Sequence, residues 1–302
     1  MSLVALLLVA AADPIAFREG DGSVEVTVAG EPFATYVYRD PKIPRPYFTH
    51  VFAPGGGRVT RNHPPQAGDP TDHAELHPGI WLSFGILNET DFWRNKAVTE
   101  QVGFAEHPKV VSDVGTLTVR NRYATKDGKA IATEAASYSI RSTPSGIVLV
   151  WDATLSPAGD NLVFGDQEEM GLGIRLATLL TVKNGGAISG SAGGPAEKQV
   201  RGKQHSWCDY SGTAAGRRLG VLIVPDPANF RPSWFHARDY GLIAANPFAR
   251  KSLGGGEPSR VVVKAGETLR LRFAILVHGG PAAESFDPAS AARAMTKLLG
   301  TR

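Results

Sequence analysis

The 302-residue chain carries 34 glycines, 21 prolines and 42% hydrophobic residues, the composition of a globular protein with many turns and short strands, which disfavours disorder and long helical bundles. A net charge of only +3, with Lys and Arg interleaved with Asp and Glu, leaves no nucleic-acid footprint. Cys208 is the single cysteine, which excludes an internal disulfide and a multi-thiolate metal site.

The chain opens on the apolar run Ser2 to Ala12, which closes on small residues before Asp13-Pro14. Residues 1–12 read as a signal peptide, placing the protein in the periplasm or outside the cell. No Lys or Arg precedes the run, so a first core strand is the alternative. No later segment has the roughly 20 uninterrupted apolar residues of a membrane span.

From Gly22 to Gly280 short apolar runs are broken by Gly, Pro, Asn and Asp, the pattern of consecutive antiparallel strands. Strands are predicted over Ser23 to Ala29, Phe33 to Tyr38, Gly115 to Tyr123, Ala130 to Arg141, Ile147 to Leu155, Gly220 to Val224, Arg260 to Val263 and Thr268 to Val277. Thr125 to Gly128 and Thr143 to Gly146 predict hairpin turns, each ending in a glycine that can take a positive φ. One helix closes the chain: Asp287 caps it, Pro288 fits its first turn, and Ala291, Ala292, Ala294, Met295, Leu298 and Leu299 form an apolar face that docks outside the sheets. The fold class is therefore all-β, a large antiparallel β-sandwich occupying residues 13–302 as a single domain. A split at the loose stretch Gly185 to Gly194 is the rival.

The chemistry concentrates between Tyr47 and Trp93, where His50, Arg61, His63, Asp72, His73 and His77 stand among aromatics, with four of the eight histidines. Histidine serves near neutral pH as acid, base or metal ligand, so His50, Arg61, His73 and His77 are catalytic candidates. Asp166 to Gly173 adds carboxylates at a strand end. Glu168 and Glu169 would point to opposite faces of a continuing strand, and Glu169 is the one expected in the pocket.

Two further blocks, Trp207 to Tyr210 and Asn229 to Asn246, alternate aromatics with hydrogen-bonding groups, as a sugar pocket needs. Asp72, Trp81, Trp93, Asp209, Tyr210, His236, Arg238, Asp239 and Asn246 are the expected substrate contacts. A two-carboxylate glycosidase would draw on Asp72, Asp91, Glu169, Asp209 and Asp239. The metal alternative takes one divalent transition ion from among His50, His63, His73 and His77. In an extended chain His73 and His77 would stand about 13 Å apart, so that alternative needs a turn at Ala74 to Leu76. Otherwise no cofactor is expected, and no phosphate loop, Gly-x-Ser-x-Gly elbow or dinucleotide fingerprint is present.

Tyr36 to Phe48, His73 to Phe84, Asp91 to Trp93, Glu168 to Gly171 and the Phe230 to Asn246 block together resemble a bacterial family common in planctomycetes and catalogued as methane oxygenase PmoA-like, an uncharacterised domain. The resemblance runs from about Val24 to His278. That name evokes an integral membrane subunit, and with no membrane span here it is no guide to mechanism. The family is similar to galactose mutarotase-like β-sandwich (supersandwich) proteins, in which a histidine acid, a glutamate base and an arginine act on a ring oxygen and anomeric hydroxyl. The likeness implies His73 or His77 as acid, Glu169 as base, and Arg61 steadying negative charge. The expectation is an exported carbohydrate-active enzyme that moves protons among His50, His73, His77 and Glu169, by hydrolysis, elimination or epimerisation. A metal-dependent, redox-capable enzyme and a non-catalytic carbohydrate-binding protein are the alternatives, and the oligomeric state is open.

Overall fold

Alternation of apolar and polar side chains builds two broad antiparallel sheets that share one core. The computed structural model describes residues 15–301, so the N-terminal apolar run lies outside the described residues. The first sheet begins with β1 (Ile15–Gly20), β2 (Ser23–Val28), β3 (Glu31–Val37), β4 (Tyr47–Thr49) and β5 (Ile80–Phe84), neighbours in chain order. The second begins with a four-stranded meander, β6 (Ala97–Val111), β7 (Val114–Thr125), β8 (Ala130–Thr143) and β9 (Gly146–Pro157). After β10 (Leu162–Phe164) the chain returns to the first sheet as β11 (Met170–Arg175), pairing with β5.

The remaining strands alternate between the sheets. β12 (Ala187–Gly190), β14 (Cys208–Ala214), β15 (Arg217–Pro225) and β19 (Leu269–Pro281) extend the second, whose order is β12-β14-β15-β19-β9-β8-β7-β6. β13 (Lys203–Gln204), which follows the one-turn helix α1 (Glu197–Val200), joins β16 (Trp234–Arg238) and β17 (Leu242–Asn246) in the first, whose order is β1-β2-β3-β4-β5-β11-β17-β16-β13. β18 (Val261–Val263) pairs with β10 apart from both.

Every strand predicted from the sequence lies within or overlaps one of these, and both predicted hairpins form, with Gly128 at φ 91° and Gly146 at φ 141°. The closing helix α2 (Pro288–Gly300) is capped by the Asp287 carboxylate, which accepts from the Ala289 and Ser290 amides. Its Ala291, Ala292, Met295 and Leu299 cover Val150, Leu222, Leu276 and their neighbours on the outer face of the second sheet, while Ala294 faces solvent. Among the described residues no helix is long and apolar enough to cross a membrane.

What positions a site is the parity of the first sheet. On β11, Met170, Leu172 and Ile174 enter the common core, and on β16 Phe235 and Ala237 do the same. Period-two alternation therefore sends Gly171, Gly173 and Arg175, and Trp234, His236 and Arg238, to the opposite face.

Candidate functional site

Across that outer face the register places Trp81 of β5 opposite Gly173, Gly173 opposite Ala244 of β17, and Ala244 opposite His236 of β16. The next row holds Arg175, Leu242 and Arg238. Gly173 must be glycine, because a Cβ there would stand 2.6 Å from the Trp81 ring and 2.8 Å from that of Trp93. Both indoles thus lie down over β11, beside a shallow floor of Gly173 and Ala244.

The loop from Pro70 to His77 folds over these rings. The His77 amide donates to the His73 carbonyl over 2.8 Å, which makes the turn that the metal alternative requires. It brings the two imidazoles together, but as stacked plates: His73 and His77 are 5.0 Å apart at 18°, and His77 and Trp81 are 5.1 Å apart at 13°. His73 is also nearly parallel to Tyr240, at 6.3 Å and 13°. Trp81, His77, His73 and Tyr240 thus form one run of near-parallel rings from the interior to the surface. Lone pairs in stacked rings point side by side and do not converge on an ion. The Nε2 of His77 already accepts from the Trp93 indole over 3.2 Å.

His50 and His63 stand elsewhere. The Nε2 of His50 lies 2.9 Å from the His63 carbonyl, while His63 packs edge-on against Tyr47 near Asp40. Among the described residues no group of three or more His, Cys, Asp or Glu side chains is arranged to hold a metal ion.

Burial separates the two loop histidines by role. His77 is fully buried, and desolvation, with the charges of Arg175 and His73 adding to it, pushes it down to about 2, so it stays neutral. The side chain of His73 is 47% exposed and its backbone sits at φ 51°, a left-handed strain that a non-glycine residue holds only where its surroundings enforce it. Its Nδ1 is 3.4 Å from the Asp72 carboxylate, which receives the Arg175 guanidinium over 2.8 Å. Burial opposes ionisation of Asp72, yet the Arg175 charge and hydrogen bond outweigh it and hold the carboxyl below its ordinary value. Arg175 also lies 4.5 Å over the Tyr240 ring. Asp72 thereby directs a proton to Nδ1 and leaves Nε2 of His73 for a ligand.

Glu169 supplies the second titratable group. Burial raises its pKa, Arg94 opposes the rise, Glu168 adds to it, and the charge of His73 is near enough to act on it. Arg94 bridges Glu169 and Asp91. Residues 165–169 are not strand, so the alternation expected of Glu168 and Glu169 does not apply. Both reach this side of the molecule, Glu168 meeting Arg201 at 2.7 Å and His236 Nδ1 at 3.3 Å. Burial lowers His236 to about 4, with Glu168 pulling the other way. Beside His73 and Tyr240 opens a cavity of about 860 Å³, lined also by Arg61, Asp72, Arg175 and Asp239 but not by Glu169, which was expected in the pocket and instead stands outside the lining, held by Arg94. The segment from Thr178 to Asn184 walls its far side, with Leu179 exposed close by.

Several expected contacts turn out to be supports. Trp81 and Trp93 are wholly buried and reach no ligand. Arg61 is buried and donates to the Asp72 and Pro70 carbonyls, holding the loop from behind. The Tyr210 hydroxyl donates to the Asp239 carbonyl and accepts from the Val182 amide, fixing the cavity wall. Asn246 donates to the Gln167 and Glu168 carbonyls and accepts from the Phe248 and Ala249 amides, so it sets the carboxylate loop. Asp209 is remote: it lies on the outer face of the second sheet, 2.8 Å from both His278 and Ser211, with Phe286 stacked on His278. Arg238 and Asp239 do flank the site. Arg94, Arg175, Arg201 and Tyr240 were not singled out from the sequence. For Arg175 the signal was there in Met-Gly-Leu-Gly-Ile-Arg, whose small residues alternate with apolar ones, a mark of close approach on one strand face.

The chain belongs to a family described as a family of unknown function (DUF6807), whose model matches residues 23–294. That description carries no methane oxygenase activity, so the PmoA-like name expected from the sequence is not the one found. Among solved structures the chain is similar to galactose 1-epimerase from Lactobacillus acidophilus NCFM, at 8% identity over 88% of this chain and 98% of that one, TM-score 0.43. The Slr1438 protein from Synechocystis sp. PCC 6803 matches at 15% identity over 92% and 99%, TM-score 0.41. The galactosidase domain of the alpha-galactosidase-sucrose kinase AgaSK matches at 10% identity over 89% of this chain, TM-score 0.44, but this chain spans only 41% of it. The chain spans 32% of a further match, a larger chain from the human microbiome. A search of curated protein sequences finds no relative.

Proposed function

We propose that this member of the DUF6807 family is an exported carbohydrate-active enzyme in which His73 and Glu169 move protons on a sugar bound against Tyr240. The observation that carries the reading is the Arg175-Asp72-His73 chain, which fixes a half-exposed imidazole by its Nδ1 at the edge of a large cavity while a partly buried glutamate sits within its electrostatic reach. Epimerisation, elimination and hydrolysis share one demand, a group that gives a proton and a group that takes it.

His73 suits the donor in its imidazolium form, with Nδ1–H facing Asp72 and the Nε2 proton left to be given to the sugar. Glu169 suits the acceptor, since a raised pKa makes a carboxylate a stronger base, and Arg94 keeps its ionised form accessible. Tyr240 offers an aromatic face, and the cationic Arg175 and Arg238 beside it offer hydrogen bonds to hydroxyls.

The test is a screen of aldoses, their glycosides and uronides by proton NMR, following anomer exchange, bond cleavage and deuterium uptake. Turnover should fall about 100- to 10,000-fold in His73→Ala and in Glu169→Gln, the range of a lost general acid or base. Native-like turnover in both variants would overturn the assignment. Sugar binding without turnover in any format would make this a binding protein.

A further inference from the structure

The outer face of β16 continues past His236 to Trp234, and there a second cavity opens, of about 450 Å³, lined by Gln204, Arg231, Trp234, Arg250, Gly255 and Gly256. The role of Gly255 is steric: a Cβ would stand 2.2 Å from the Trp234 ring, so the loop lies flat against the indole and holds it in place. Trp234 is part-exposed. Its ring shares the sheet face of His236 and Arg238, and by strand rise about 13 Å separates Trp234 from Arg238. The two cavities therefore lie toward opposite ends of one surface, with the Glu168-Arg201-His236 group between them.

Charge at the far end is net positive, two guanidiniums against the one carboxylate of Asp166, whose charge reaches Arg231. Arg231 donates to the Ser259 hydroxyl over 3.0 Å and lies 5.0 Å over the Phe230 ring, and among the described residues neither it nor Arg250 forms an ion pair. The nearby carboxylate is committed elsewhere: Asp166 accepts from the Arg250, Lys251, Ser252 and Ser259 amides and from the Ser252 hydroxyl. Two guanidiniums outside any ion pair among the described residues, beside a clamped indole, suit a ligand that has a flat apolar face and an anionic group.

Resting on the carbohydrate reading above, we infer that this cavity is a second subsite, which takes an acidic sugar unit of an oligosaccharide whose reacting unit lies at His73. Trp234 covers the apolar face of the ring, and Arg231 and Arg250 hold its carboxylate. The molecule is then a reader of uronic-acid chains longer than a single sugar.

The test is calorimetric binding of a galacturonate ladder, one to six units long, against the same ladder as methyl esters. For native protein the affinity should rise with length and exceed that of the methyl ester by at least about tenfold in the longer members, the scale of one charged contact. Arg231→Ala/Arg250→Ala should erase the preference for the acid in longer chains, leaving acid and methyl ester bound alike. If that pair folds poorly, the exposed single change Arg250→Gln is read instead, with a smaller loss in the same direction. Equal binding of acid and ester by native protein, an unaltered preference in the variants, or no binding of any ladder member would each overturn the subsite. Turnover of neutral sugars lost in His73→Ala would still support the catalytic reading, so the two stand or fall apart.

Discussion

The indole N–H of Trp93 donates to the Nε2 of His77 over 3.2 Å, at a point where neither side chain meets solvent. Nothing about four-residue spacing tells this histidine from His73, yet one is core and the other surface. His77→Ala removes a buried ring from between His73 and Trp81 and orphans a buried donor. It should cost about 2–4 kcal/mol, read from urea denaturation. His73→Ala should cost under about 1 kcal/mol, as befits a half-exposed side chain. Equal costs would show that the ring run does not divide these roles.

Asp72 orients the exposed imidazole. Asp72→Asn keeps the shape but removes the charge that faces Nδ1 and Arg175, so turnover should drop by between about ten- and ten-thousand-fold, mainly in kcat. A change confined to KM would mean that Asp72 binds substrate and does not align His73.

Acid should destabilise the fold in a definable window. Burial holds His77 at about 2 and His236 at about 4, both below the ordinary value near 6.5, so as pH falls through 6.5 each takes up a proton only in the unfolded chain. Their contribution is complete above that value and declines below it. Glu134 works in the other sense. It is buried, accepts from Asn121 over 2.8 Å and Tyr123 over 3.2 Å, and desolvation raises it to about 7 against those bonds. The folded state therefore gains a proton before the unfolded one does, and stability rises as pH falls from about 7 to 4.5. Burial lowers His50, His63 and His205 as well, so with Glu169 raised alongside Glu134 the losses still outnumber the gains, and stability should decline on acidification between pH 6 and 5. Glu134→Gln should steepen that decline and raise stability at pH 8. An unchanged slope by denaturant titration would show that Glu134 does not titrate there.

Gly173 is a steric prediction. Gly173→Ala drives a methyl into two buried indoles and should cost about 1–3 kcal/mol by thermal melting, while the same change at exposed Gly128, where nothing lies within 4 Å, pays only for its positive φ.

The strands and the closing helix were legible because two-residue alternation, turn glycines and an Asp-Pro cap are local signals. The histidine window was legible as a concentration of chemistry but not as a partition. Which of His50, His63, His73 and His77 meet depends on a loop folding over β5 and β11, and that is set by contacts far apart in sequence. The same limit misplaced Asp209, whose aromatic neighbours Trp207 and Tyr210 looked like a pocket, although β14 belongs to the other sheet. Glu168 and Glu169 were read as strand, but the stretch ahead of β11 is irregular, and Asn246 from β17 shapes it.

The near-parallel rings that lead from Trp81 to Tyr240 have a practical side. On the proposed reading, a sugar settling on the outermost plate should shift the packing of the plates beneath it, and the innermost one fluoresces. Occupancy of the cavity should therefore register as a change in tryptophan emission without any label, and Tyr240→Leu should silence that reporter while leaving the indoles in place.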